Sequence, residues 1–198
     1  EHSKAEYGLG LDHNPAILGW SQGALVSMLY AQQYPELMSD LVLYASIYDQ
    51  KIVYGRKPIF QQARFTEKAL SKENTRDDAL EDFTLPGSIS DVTATAFGQS
   101  ALDADPIKVH WDNLHEFNDC KPSKISVPTL LLHGDQDPYT SVDAQRHLFE
   151  NLGCSDKAWV ILPNSDHAVH LLKDRQDSFV RSVCWWLYRN EDMLSLAR

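Results

Sequence analysis

The stretch Gly19-Trp20-Ser21-Gln22-Gly23 constrains this chain more than any other, because of what flanks it. Before it, "PAILGW" reads as a short buried strand. After it, "ALVSMLYAQQY" places Leu25, Met28 and Leu29 at helical spacing until Pro35 stops the run. A serine between two glycines, where a strand turns sharply into a helix, predicts a tight and strained bend. The positions on either side of such a bend want no side chain, and Gly19 and Gly23 supply that.

The same grammar recurs along the chain. "DLVLYAS" (Asp40 to Ser46) is a second short apolar strand, so strand, turn, helix and strand follow one another as in a parallel α/β sheet. "VPTLLLHG" (Val127 to Gly134) and "AWVILP" (Ala158 to Pro163) are two further strands. Between them "SVDAQRHLFENLG" is a helix, with Ser141 as N-cap and Gly153 as the residue just past its end. A last helix spans about Lys173 to Asn190, with Phe179, Val183, Trp186 and Leu187 on one stripe. The texture differs from Tyr48 to about Ser126, where "RFTEKALSKENTRDDALEDF" is highly charged and helix-compatible. "DFTLPGSISD" reads as a loop there, and aromatics are scattered from Phe60 to Phe117. This predicts a core formed by residues 1–47 and 127–198, with 48–126 inserted as a helical cap.

The bulk numbers narrow the partners. Lys+Arg is 18 and Asp+Glu is 28, giving a net charge of −10 that repels phosphate backbones and anionic lipid heads. Nucleic acid is therefore not an expected partner, and no apolar run approaches the roughly 20 residues that span a bilayer. Cys120, Cys154 and Cys184 lie far apart and form no C-x-x-C, which implies neither a zinc site nor a disulfide framework. That usage favours a reducing compartment, and a cytoplasmic location is the expectation.

Acyl transfer needs a nucleophile, a base to take its proton, and a group that orients the base. Candidates for each lie just after expected strands, where parallel α/β sheets gather their chemistry. Ser21 is the candidate nucleophile, and the backbone N–H of Gln22, opening the helix, is placed to donate to an oxyanion. "HGDQDPY" offers Asp135 and Asp137 as the orienting acid, the other being a turn residue. "PNSDHAVH" offers His167 and His170 as the base, while His133 at a strand end reads as structural. The order Ser, Asp, His differs from that of the two classical serine protease folds.

On "LGWSQGA", "VPTLLLHGDQDPYTSV" and "LPNSDHAVHLLKDR", the chain resembles the carboxyl-terminal part of an α/β-hydrolase-fold serine hydrolase. The family pattern G-x-x-D falls on Gly134-Asp135-Gln136-Asp137, which makes Asp137 the acid. The family's histidine loop matches Asp166-His167-Ala168-Val169, which makes His167 the base. The resemblance implies an esterase or lipase that works without metal or organic cofactor. Its substrate would be a small ester, with an apolar acyl group suggested by the cap's aromatics. A carbon–carbon bond hydrolase, a thioesterase or a peptidase would use the same triad. A hydrolase-fold receptor with weak turnover is the reading from a different class.

The chain departs from the family in one respect. The family sheet has about eight strands and the elbow follows the fifth, yet here it is reached at residue 21. The strands found correspond to the fifth through eighth. No His-Gly motif of the kind that accompanies a second oxyanion donor precedes Ser21. The expectation is a four-strand parallel sheet whose "PAILGW" edge is exposed and apolar, completed by an upstream segment or a second chain.

Overall fold

The computed structural model describes residues 14–54, 73–81, 83–107 and 114–189. Strand β1 (Ile17–Trp20) leads through helix α1 (Gln22–Gln33) to β2 (Leu41–Tyr44). Two helices of the inserted stretch follow, α2 (Arg76–Leu80) and α3 (Asp91–Ala104). Then come β3 (Thr129–Gly134), α4 (Val142–Asn151), β4 (Lys157–Leu162) and α5 (Gln176–Tyr188). The four strands form one parallel sheet in the order β1-β2-β3-β4. This is the α/β sheet expected from the sequence, with neighbours in chain order.

Strand alternation explains the three layers. Successive side chains point to opposite faces, so strands covered on both sides read as unbroken apolar runs. Leu41, Leu43 and Leu131 turn to one face and pack with Leu25, Met28 and Ala31 of α1 and Leu148 of α4. Val42, Tyr44, Leu130 and Leu132 turn to the other and meet Trp186, Phe179 and Val183 of α5. The stripe read from the last helix is therefore its buried face.

Among the described residues, the stretch from 48 to 126 carries α2, α3 and two short 3-10 turns, with turn and extended segments between them. Thr75 closes a capping box with Asp78 at the start of α2, and Phe83 meets Phe97 of α3 edge to face at 5.2 Å. Phe60, Phe65 and Trp111 lie outside the described residues. The end of the stretch belongs to the core: Phe117, Cys120 and Ile125 are buried among the α1 and α4 side chains.

One glycine expectation holds by position and one is corrected. Gly153 lies just past the end of α4 as expected, though without the positive φ that Gly87 has among the described glycines. It is a close-approach glycine, because a Cβ there would strike the Ser123 carbonyl, and its N–H donates to the Pro122 carbonyl at 3.1 Å. At Gly23 a Cβ would meet no atom within 4 Å, so the bend does not need glycine there. Gly19 does need to be glycine, because a Cβ would run into the Ser27 hydroxyl and the Gly23 carbonyl.

Candidate active site

Three loops converge at the carboxyl edge of the sheet. The register aligns Trp20 with Tyr44, Tyr44 with Leu132 and Leu132 with Val160, so the segments after β1, β3 and β4 emerge side by side. Ser21, Asp137 and His167 sit on those segments.

Ser21 adopts φ 55° and ψ −120°, a region costing about 1–3 kcal/mol for a side chain that is not glycine. The neighbours hold it there: its N–H donates to the Tyr44 carbonyl at 3.0 Å, and its carbonyl accepts the Ala24 N–H at 3.1 Å. A serine at the start of a helix ordinarily turns its hydroxyl onto the first-turn N–H groups. This one makes no such bond, so the strained backbone leaves its hydroxyl uncommitted to the helix. The helix behind it begins at Gln22, whose N–H is among the first-turn donors that a helix cannot satisfy itself.

Asp137 and His167 form a buried pair. His167 Nδ1 lies 2.8 Å from Asp137 Oδ2, and the two residues are 2% and 8% exposed. An ionised carboxylate only accepts, so the proton on that bond belongs to Nδ1 and Nε2 is left as the basic nitrogen. The Tyr139 N–H donates to the other carboxylate oxygen at 2.9 Å and fixes the acid. Gly134 lets the two loops close, because any Cβ there would collide with the Ser165 and Asp166 carbonyls. Asp135 is exposed and accepts the Ser165 N–H at 3.1 Å, which makes it the turn residue of the two candidates.

The other histidines are engaged elsewhere. His170 Nδ1 faces the Tyr44 hydroxyl at 3.1 Å, and that hydroxyl also accepts the His170 N–H at 3.2 Å. Burial pushes the Tyr44 phenol above its ordinary range and lowers His170 below the usual imidazole value. His133 is fully buried against Trp159, whose indole N–H donates to His133 Nδ1 at 3.1 Å. Burial lowers that imidazole too.

Three residues at the site were not singled out from the sequence. Trp20, just before the serine, donates its indole N–H to the His167 carbonyl at 3.0 Å and stacks toward Tyr44. The strand that leads into Ser21 thus holds the His167 loop. Tyr139 sets its ring edge to face with His167 at 4.9 Å. Asp166, fully buried, accepts the Ala168 N–H at 3.1 Å and, from the inserted stretch, the Thr84 N–H at 3.0 Å. The alternation along "ILGW" could have pointed to Trp20. Asp166 stands in the histidine-loop motif, which marks its position but not its contacts, and nothing local marks Tyr139.

Known proteins share this arrangement of elements. The model of a hydrolase family described as serine aminopeptidase, S33 matches residues 10–174. A Schizosaccharomyces pombe protein described as a monoglyceride lipase is 29% identical over 65 residues, which is 32% of this chain and 17% of that protein. The monoacylglycerol lipase of Paleococcus ferrophilus is similar in structure with a TM-score of 0.56 at 22% identity, over 94% of this chain and 71% of that one. A meta-cleavage product hydrolase from Pseudomonas fluorescens IP01 is similar with a TM-score of 0.58 at 16% identity, over 89% of this chain and 65% of that one. At these identities the structural likeness is one of fold, and the chain spans roughly two thirds of each solved structure.

Proposed function

Because this chain belongs to the serine aminopeptidase S33 family of α/β hydrolases, we propose that it cleaves carboxylic esters by way of an acyl-enzyme. The observation that carries the proposal is the buried Asp137–His167 pair at the sheet edge where the strained Ser21 turn emerges. In this reading Ser21 Oγ attacks the ester carbonyl while its proton passes to His167 Nε2. Asp137 holds the imidazole by Nδ1 and stabilises the imidazolium. The Gln22 N–H donates to the oxyanion, helped by the positive end of α1. His167 then gives the proton to the departing alkoxide. Water attacks the acyl-serine, passing a proton to His167, and Ser21 recovers that proton as the acid leaves.

The lipase descriptions of two relatives favour an ester among the bonds such a triad can cut. A fluorophosphonate probe tests the nucleophile. Wild type is expected to be labelled, and Ser21→Ala is expected to be blank under the same conditions. Absence of labelling in folded wild type would reject the enzyme and favour a binding protein. A series of nitrophenyl esters of rising acyl length then reads the substrate class.

A further inference from the structure

Two side chains tie the inserted stretch to the acid–base pair, and neither is required by the triad chemistry itself. Asp166 precedes His167 and is fully buried. Its Oδ1 accepts the N–H of Ala168, which follows His167, at 3.1 Å. Its Oδ2 accepts the N–H groups of Thr84 at 3.0 Å and Leu85 at 3.4 Å. One carboxylate therefore brackets the base and binds a segment 82 positions upstream. Tyr139 makes a second bridge. Its N–H donates to Asp137, its ring packs on His167, and its hydroxyl donates to the Glu81 carbonyl at 3.1 Å.

We propose that Asp166 and Tyr139 are positioning residues that register the inserted segment on the Asp137–His167 pair, so that docking of residues 83–85 and orientation of the base are one event. The acceptor count requires a carboxylate at 166. Three N–H groups converge on it, and only a group with two accepting oxygens satisfies them all. In Asp166→Asn, one oxygen becomes an NH2 that must face an N–H, which leaves a buried donor unpaired. The segment so held also lines a recess of mixed character, with Leu80, Phe83, Leu85 and Ile89 beside Thr84 and Asp91. The device therefore couples the segment that lines this recess to the His167 side chain.

The test uses the intact chain and two variants, Asp166→Asn and Tyr139→Phe. The second deletes the hydroxyl bond to Glu81 and keeps the ring and the backbone N–H. Hydrogen exchange reads the coupling without any turnover. In Asp166→Asn, the Thr84, Leu85 and Ala168 amides are expected to exchange together at least tenfold faster. In Tyr139→Phe, the 84–85 amides are expected to speed up while Ala168 changes little. Unchanged exchange at 84–85 in Asp166→Asn would overturn the proposal.

The kinetic arm rests on the ester-hydrolase reading. Asp166→Asn is expected to lower kcat about tenfold for both a nitrophenyl acetate and an octanoate ester. Tyr139→Phe is expected to raise KM severalfold for the octanoate only. Losses that are equal in kcat and KM for both esters, and that track a fall in melting temperature, would reduce the two residues to a structural role and overturn the proposal. A wild type that turns over no ester sinks the ester reading alone, and the exchange result still decides the coupling.

Discussion

At the scale of single residues, position decides role more than residue type does. Asp135 and Asp137 stand two apart on one turn, yet one is exposed and accepts a backbone N–H while the other is buried on His167. The proposed mechanism therefore assigns them unequal weight. Asp137→Asn is expected to lower kcat about 10⁴-fold, because an amide facing Nδ1 favours the wrong imidazole tautomer. Asp135→Asn is expected to cost less than tenfold, since its amide oxygen can still accept from Ser165. Steady-state kinetics on one ester checks both, and the reverse ranking would move the acid to Asp135. Ser21 shows the same logic in its backbone. Its positive φ is tolerated because Tyr44 and Ala24 grip the peptide units on either side.

At the scale of elements, the two glycines of the opening motif separate. Gly19 lies where β1 and α1 press together, and a methyl group there meets the Ser27 hydroxyl and the Gly23 backbone. Gly23 lies in the first turn of α1 with open space around its Cα. Glycine inside a helix costs up to about 1 kcal/mol relative to alanine. Gly23→Ala is therefore expected to raise the melting temperature by a few degrees, whereas Gly19→Ala is expected to lower it by several. Thermal unfolding of the pair checks this, and equal destabilisation would show that the bend needs both glycines. Sequence pattern treats the two alike. Only the packing of α1 on the sheet tells them apart.

At the scale of the whole molecule, burial disfavours the charged form of two histidines, His133 on β3 and His170 on the loop after β4. Burial lowers both His133 and His170, while an unfolded histidine takes its proton near pH 6.5. The unfolded chain thus binds more protons in the window below that value. Stability that is present above about pH 6.5 falls as pH drops toward the lowered folded values, and the loss is complete below them. Urea unfolding at pH 7 and pH 5 is expected to show this decline. His133→Gln keeps an acceptor for the Trp159 indole but cannot titrate, so it is expected to flatten the slope. An identical slope in wild type and variant would remove His133 as a contributor. The sheet also has an open side: β1 pairs with β2 alone among the described residues, and Leu18 on it is 44% exposed. That matches the apolar edge expected from "PAILGW".

What the sequence determined by itself was local. The order Ser, Asp, His is read directly off the chain, and the order of short apolar strands and helices, such as the helix begun after Ser21 and stopped by Pro35, depends on residues near in the chain, whose geometry is set by backbone sterics. The parallel four-strand sheet followed from that order, because short apolar strands joined by helices have few other ways to bury both faces. What only the tertiary structure decided were contacts across large separations. Trp20 reaches the His167 carbonyl over 147 positions, and Asp166 reaches Thr84 over 82. The end of the inserted stretch sinks Phe117 and Ile125 into the core rather than standing above it. Gly134 and Gly153 serve close approach to segments that spacing does not reveal. A buried acceptor takes whichever N–H the packing brings within about 3 Å, and that choice is made by the fold as a whole.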